Sequence, residues 1–469
     1  MSIFSLKYFG IFFLIISFFS FFNIIYSYYF NLLNNLGSYI LTFAITLIIG
    51  LFFIIFKKYK FEKINLFERI LIVLVGYLIL PATISIPYYL NLENIGIINC
   101  YFEAISGFTS TGFTIFNDLN KLDQTLILWR SSSQWIGGLY FLFSILLLID
   151  LFDENLKRSL TNYISLNSSE IFKQVFKIII IYVLMTILIF VLLKIVNLRS
   201  YDAYNYSLSI ISSGGFLPND NFDLTFNTDI SKIILSITML FSFFSLFFIF
   251  NLIFFKKKNI NYLSEDINIL IYLLIVISLS FVFINYDNNF LKVLVSICSS
   301  VSNIGISFDK IPRNLVFLFL LLVIMGGSFF STSSGLRVIK VITLIKFSVN
   351  NLLSHSKPNQ IYSNKLSLNK ISADISDINK YFLMIIIFII SLFAISILLT
   401  ISNLDFETSF KLGILTIMNT VNSEMYNLSG LNFYNFNLYS KISLIIFMII
   451  GRIELLSVII LLKKFLFKN

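Results

Sequence analysis

Charge is scarce in this chain. Asp, Glu, Lys and Arg make up 12% of the 469 residues, about half the share of an ordinary soluble domain. Cysteine is limited to Cys100 and Cys298, and histidine to His355. Two cysteines without ligand spacing give neither a disulfide framework nor a cysteine-rich metal centre, so both are read as small packing residues. The single histidine lies in a polar loop and is read as solvated. The sequence has no His-Glu-x-x-His helix, no paired aspartates in facing apolar helices, no phosphate-binding loop and no Gly-x-Gly-x-x-Gly in a strand–turn–helix context. The chain is not read as an enzyme, and no cofactor is expected in it.

What is abundant is apolar. The chain is 58% hydrophobic with a mean hydropathy of +0.90, which reads as an all-α integral membrane protein. Phenylalanine, isoleucine, asparagine and lysine are enriched together, as AT-rich coding would produce. The 17% aromatic content is therefore not read as a binding surface. Nor does the net charge of +10 indicate a nucleic-acid partner, because the basic residues sit in short loops between apolar runs. The partner implied is the bilayer.

The stretch that organises the chain is 102–116. It is too short and too polar in its second half to span a bilayer, and it lies between two long apolar runs. Its end, Thr109-Ser110-Thr111-Gly112, is small and hydroxylated. Irregular backbone at membrane depth is tolerated where it lines a water-filled path, and its carbonyls can replace the water shell of an alkali cation. An isolated copy reads better as an ordinary outer loop between two membrane helices. The copies favour the re-entrant reading. Residues 206–216 repeat the layout and end in Gly215-Phe216, and residues 294–305 end in Gly305. Aligning the glycines puts Ser106, Ser209 and Ser299 in register. A fourth copy, 415–424, ends at Glu424. The spacing of about 90 to 120 residues suits a helix–loop–helix membrane unit, and four such units can surround one axis.

The expected order is two N-terminal helices in 1–63, then four units at 64–155, 156–258, 259–350 and 351–469. The spans are placed at about Tyr8–Phe30, Ser38–Phe56, Phe67–Pro87, Leu126–Leu151, Phe172–Asn197, Ile230–Phe255, Ile267–Asn285, a run starting near Asn314, Tyr381–Ser402 and Ser440–Leu462. That makes about ten transmembrane helices and four short re-entrant ones. Lysine-rich loops such as Lys57–Lys63, Lys256–Lys258 and Lys340–Lys370 mark one side as cytoplasmic. Both termini then lie inside and all four loops open outward, where acids such as Asp118, Asp220 and Asp405 would concentrate cations.

Two further features carry chemistry. The span of the third unit is interrupted by Gly326, Gly327 and Gly335, with Ser331 and Thr332 between them. This reads as a broken helix lining a cavity and forming a movable constriction; the alternative is a helix ending at Met325 followed by a plain turn. The last helix carries Gly451-Arg452-Ile453-Glu454. A central arginine costs roughly 2.5–3.5 kcal/mol on insertion scales, so it must face polar partners. Glu454 points to another helix face, and the carbonyls and hydroxyls of 326–335 are better candidates. The alternative is an ion pair with a neighbouring helix. Trp129 and Arg130 can serve as anchors at the outer interface, and Gly137 and Gly138 allow close packing.

Taken together, the four loops, Trp129-Arg130, Gln134 to Gly138, Gly326 to Lys340 and Gly451 to Glu454 resemble the Trk/Ktr/HKT potassium transporter superfamily, and within it the TrkH-type pore subunits. The resemblance covers nearly the whole chain. It implies gated potassium uptake in the cell inner (plasma) membrane, K+ as the transported ion, a homodimer, and a cytoplasmic nucleotide-binding regulatory subunit of the TrkA type. The basic stretch Lys340–Lys380 is the most plausible dock for that subunit. By position, the resemblance makes Ser110, Thr111 and Gly112, Ser213, Gly214 and Gly215, Asn303, Ile304 and Gly305, and Asn422, Ser423 and Glu424 the potassium filter. Gly326, Gly327, Ser331, Thr332, Gly335 and Arg452 become the gate. Gly112 favours potassium over sodium in that family. The chain departs from the pattern in the fourth loop, where the family has glycine and this sequence offers Ser423 or Glu424. A Glu424 carboxylate either enters the filter and weakens selectivity or points behind it or to the outer rim. The alternatives are a sodium-permeable or weakly selective transporter of the same fold, and a non-conducting subunit of an ion-transport complex.

Overall fold

The computed structural model of the protein describes residues 3–55, 66–92, 95–148, 171–253, 264–283, 290–308, 315–356 and 375–453. Among these, the only strands are two of two residues each, Met325–Gly326 and Leu336–Arg337, paired in parallel. All else that is regular is helix. A helix stands at each of the ten expected spans. Five of the described helical spans are long and apolar enough to cross a membrane: Lys7–Tyr29, Leu33–Ile55, Phe67–Asn91, Gln174–Ile195 and Ile378–Ile401.

The other spans depart from that pattern for visible reasons. The helix Gln124–Leu147 carries Arg130, Ser131, Ser132, Ser133 and Gln134, and it is buried from Thr125 onward. It faces protein rather than lipid, so polar residues are tolerated along it. Asp229–Phe243 stops and resumes as Leu246–Ile253. Val316–Ile324 stops at the first glycine pair and resumes as Val338–Ser356. Leu438–Arg452 ends beside the last described residue.

Four short helices stand between these longer ones: Ile97–Phe108, Ser200–Ile211, Phe290–Val301 and Phe406–Ile417, each of 12 residues. They form a closed ring. Gln124–Leu147 packs between the first and second, Asp229–Phe243 between the second and third, Val316–Ile324 between the third and fourth, and Leu438–Arg452 between the fourth and first. The second and fourth short helices therefore lie across the ring from one another. The N-terminal pair, Ile3–Tyr29 and Leu36–Ile55, crosses with Gly10 against Gly50, where a β-carbon on Gly50 would come within 3.2 Å of the Gly10 carbonyl oxygen. Small residues permit such backbone approach between membrane helices.

Trp129 and Arg130 are not interfacial anchors. Each is 1% exposed. Trp129 Nε1 donates to the Ile84 carbonyl at 3.0 Å, and Arg130 is held by Glu103 and Thr114. The basic loops 57–63, 157–158, 256–258, 357–370 and 463–464 lie outside the described residues, as do Glu93, Asp287 and Glu454.

Candidate functional site

All four short helices end in the same way. The residue two positions past each end takes a left-handed conformation: Ser110 (φ 55°), Ser213 (φ 57°), Asn303 (φ 59°) and Asn419 (φ 49°). The next residue's N–H reaches back five positions, from Thr111 to Ser106 at 2.9 Å, Gly214 to Ser209 at 2.8 Å, Ile304 to Ser299 at 3.0 Å and Thr420 to Leu415 at 2.9 Å. This is a Schellman closure, which satisfies the last helical carbonyls while turning the chain sharply. Four such closures aim the negative ends of four helix dipoles toward one region.

The loops after them converge. A β-carbon on Gly112 would lie 3.1 Å from the Gly215 Cα, one on Gly215 would lie 2.8 Å from the Ile304 carbonyl oxygen, and one on Gly305 would lie 2.7 Å from the Val421 carbonyl oxygen. Gly112 (φ 84°) and Gly305 (φ 81°) adopt dihedrals that favour glycine. Asn419 Nδ2 donates to Thr111 Oγ1 at 3.0 Å and Asn303 Nδ2 to Thr420 Oγ1 at 3.3 Å, tying the fourth loop to the first and third. The loop segments 110–112, 213–215 and 303–305 thus come together.

In the fourth loop the register differs from expectation. The residue that meets Gly112, Gly215 and Gly305 is Val421, so neither Ser423 nor Glu424 takes the place of the glycine. Asn422 follows it and donates from Nδ2 to the Leu428 carbonyl at 3.0 Å. Ser423 precedes a short helical turn, Glu424–Tyr426. Glu424 is exposed and accepts from Ser429 Oγ at 2.6 Å, which places it on a rim. The physical reason is helix length. The fourth short helix starts after its cap Asp405 and, like the others, runs 12 residues, so its left-handed turn falls at Asn419.

Two side chains one helical turn apart brace the first two loops from behind. Arg130 Nε donates to Glu103 Oε1 at 2.9 Å, and its Nη2 donates to Thr114 Oγ1 at 3.0 Å. Glu103 Oε2 in turn accepts from the Ile115 N–H at 2.9 Å. The guanidinium lies 4.1 Å from the Phe216 ring centroid. In the amide orientation that satisfies both of its ends, Gln134 Nε2 donates to Ser209 Oγ at 2.7 Å, and Oε1 accepts from the Gly215 and Phe216 N–H groups at 3.2 and 3.1 Å.

On the other side of the loops lies the interrupted helix. Residues 328–334 are at most 4% exposed, so this is a buried plug rather than a plain turn. Its ends are clamped by the two-residue strand pair, where Gly326 passes so close that a β-carbon would lie 2.2 Å from the Ser334 carbonyl oxygen. Gly335 (φ 92°) makes the return. The Gly327 N–H donates to Ser333 Oγ at 3.0 Å. Ser328 donates its N–H to the Phe243 carbonyl at 2.9 Å, using the break in that helix. Ser331 Oγ donates to the Ser328 carbonyl at 2.7 Å. Thr332 Oγ1 donates to the Ile211 carbonyl at 2.8 Å, under the second short helix.

Arg452 closes the arrangement. It is 1% exposed. Its Nε donates to the Thr109 carbonyl, its Nη1 to the Thr332 carbonyl at 2.7 Å and its Nη2 to the Ser212 carbonyl at 3.3 Å. One acceptor comes from the broken segment, as the sequence suggests. The other two are the carbonyls that cap short helices 1 and 2, so a fixed cation sits where two helix dipoles end. The sequence reading missed Glu103, Gln134, Arg337, Asn419, Thr420 and Val421. Glu103 had a signal, as a carboxylate inside an otherwise apolar short helix.

The fold and site define a class: a multi-pass helical membrane protein of four helix–re-entrant loop–helix units around one axis. Comparison with known proteins shows what the chain is similar to. No protein-family model matches the chain. It is 26% identical over 445 residues to the Trk system potassium uptake protein TrkH of Salmonella typhimurium, covering 90% of each. It is 25% identical over 429 residues to TrkG of Escherichia coli, covering 85% of each. An uncharacterized cation transporter of Methanocaldococcus jannaschii is 28% identical over 319 residues, a match that spans just 65% of each chain. The crystal structure of the potassium transporter TrkH from Vibrio parahaemolyticus superposes with a TM-score of 0.80 at 20% identity, over 97% of this chain and 98% of that one. By sequence and fold together, the chain is similar to the Trk potassium transporter pore subunits.

Proposed function

We propose that this protein carries potassium into the cell through a gated, channel-like pore. The observation that carries the reading is the convergence of four Schellman-closed helix ends on one ring of backbone. Carbonyls in such a ring replace the hydration shell of a cation, and the potassium uptake named for the relatives supplies the ion. In this reading the filter is Ser110–Gly112, Ser213–Gly215, Asn303–Gly305 and Asn419–Val421. The gate is Gly326–Gly335, including Gly327, Ser331 and Thr332, together with Arg452. Ions move down the membrane potential, worth about 2.3 kcal/mol per charge per 100 mV.

The loops face outward and both termini lie in the cytoplasm of a cell whose inner (plasma) membrane holds the protein; the lysine-rich loops support this orientation. The functional unit is a homodimer. A cytoplasmic nucleotide-binding subunit controls the gate and docks near Lys340–Lys380, a stretch of which residues 357–374 lie outside the described residues. The helix Val338–Ser356 leads directly from the gate to that stretch, so a docked subunit has a mechanical route to the broken segment. Rubidium uptake into liposomes holding the purified protein tests the reading. Uptake suppressed by potassium and not by sodium is expected; equal suppression by both ions would identify a weakly selective pore, and absence of uptake with the gate opened would overturn the proposal.

A further inference from the structure

We infer that the Val421 side chain closes the filter ring and limits conduction through this pore. The inference rests on the pore reading above and adds to it a rate-determining residue.

Around the ring, Val421 belongs to the fourth loop and Gly215 to the second, which stands opposite. The two are nevertheless in contact. A β-carbon on Gly215 would lie 2.4 Å from Val421 Cβ and 2.6 Å from its Cγ1, and one on Gly112 would lie 3.0 Å from Val421 Cβ and 3.1 Å from its Cγ2. All three carbons of the isopropyl group therefore face the glycines of the first and second loops. The Val421 backbone, by its N and O atoms, faces Gly305. The side chain thus crosses the axis on which the four loops converge. It is 9% exposed.

Chemistry makes this position consequential. A cation stripped of water needs oxygen ligands on every side, and an isopropyl group has no lone pair to offer. Apolar constrictions oppose ions by excluding water as well as by steric closure. The backbone also explains why valine is tolerated here. Gly112 and Gly305 take positive φ, whereas neither Gly215 nor Val421 does. The ring has two-fold rather than four-fold backbone symmetry, and a β-carbon costs no dihedral strain at the second or fourth position. At the second position it would strike Val421; at the fourth it occupies the space left by Gly112 and Gly215.

The test uses the full chain in liposomes with the gate weakened by R452Q, so that the filter limits flux. R452Q/V421G is expected to take up rubidium about tenfold faster or more than R452Q alone, with R452Q/V421A between them. Thermal melting in detergent checks that each variant is folded. Equal rubidium flux in R452Q, R452Q/V421A and R452Q/V421G would overturn the constriction and leave the pore reading standing. No uptake of rubidium, potassium or sodium by any folded variant would overturn both.

Discussion

Arg452 Nη1 lies 2.7 Å from the carbonyl oxygen of Thr332, so the last helix and the broken segment of the third unit are joined by one charge-assisted hydrogen bond beneath the loops. The same guanidinium holds the carbonyls of Thr109 and Ser212, and its carbon sits 4.6 Å from the Phe141 ring centroid. A cation about 5 Å from this charge is opposed by about 3 kcal/mol at an effective dielectric constant of about 20. With the filter opened by V421G, replacing Arg452 by glutamine is expected to raise rubidium flux by about tenfold to a hundredfold. Flux in V421G that is unchanged by R452Q would show that the charge does not stand in the ion path.

Arg337 holds the broken segment in shape. Its Nη1 donates to the Ser328 carbonyl at 2.8 Å, to Ser331 Oγ at 3.1 Å and to the Ser333 carbonyl at 3.1 Å. One guanidinium nitrogen thus collects acceptors from both limbs of the loop, work that an uncharged side chain does poorly. R337Q is expected to speed hydrogen exchange at the amides of Gly327 and Ser328 while leaving exchange in Gln124–Leu147 unchanged. It should also raise rubidium flux in the V421G background. Unaltered exchange at both amides would show that the strand pair alone fixes the loop.

The ion pair behind the first loop is a matter of stability. Arg130 is 1% exposed and Glu103 is fully buried, so neither charge can find water if the other is removed. Breaking a buried pair by deleting one partner costs about 3–5 kcal/mol, whereas removing both charges costs much less. E103A should therefore lower the melting temperature in detergent more than the double variant E103A/R130M does. The Ile115 N–H also loses its acceptor in E103A, so potassium selectivity should fall along with stability. A double variant that melts no higher than E103A would show that the carboxylate matters chiefly as a hydrogen-bond acceptor for the loop.

Much of this architecture was legible because it rests on patterns that survive divergence. Apolar runs placed a helix at each of the ten expected spans, and a glycine six residues after Ser106, Ser209 and Ser299 placed three of the four loops. The fourth loop was misread because its marker is absent. Without a glycine, the eye goes to the charged Glu424, whereas what fixes the place is the Asp405 cap and a 12-residue helix. Asn419-Thr420-Val421 does match Asn303-Ile304-Gly305 in its first position, a signal that spacing from the cap would have exposed. The Glu103–Arg130 pair and the grip of Arg337 on its loop join residues through tertiary folding, and no local periodicity announces them.

Loop acidity provides the last prediction. Asp220 accepts hydrogen bonds from the Leu119 N–H at 2.9 Å and from Asn120 Nδ2 at 3.1 Å, linking the loops that follow the first two short helices. Burial, reinforced by the neighbouring Asp118 carboxylate, holds the Asp220 carboxyl above its ordinary value. Asp118 lies below its own, held there by Lys121 and the Asn120 N–H. The two shifts act in opposite directions. A raised carboxyl favours the fold while it is protonated, so that contribution is present below the unfolded value and is lost as pH rises through the folded value. A lowered one contributes above its unfolded value and loses that contribution as pH falls through its folded value. Removing the Asp220 charge with D220N should therefore raise the melting temperature relative to the parent protein above the carboxylate range. The difference should shrink as the pH is lowered into that range, where Asp220 becomes protonated. D118N should do the reverse, being destabilising above the carboxylate range and neutral below the lowered value. If D220N instead destabilised the protein at neutral pH, the hydrogen bonds from Leu119 and Asn120 would outweigh the burial of the charge, and the ionised carboxylate would be a net support for the junction between the two loops.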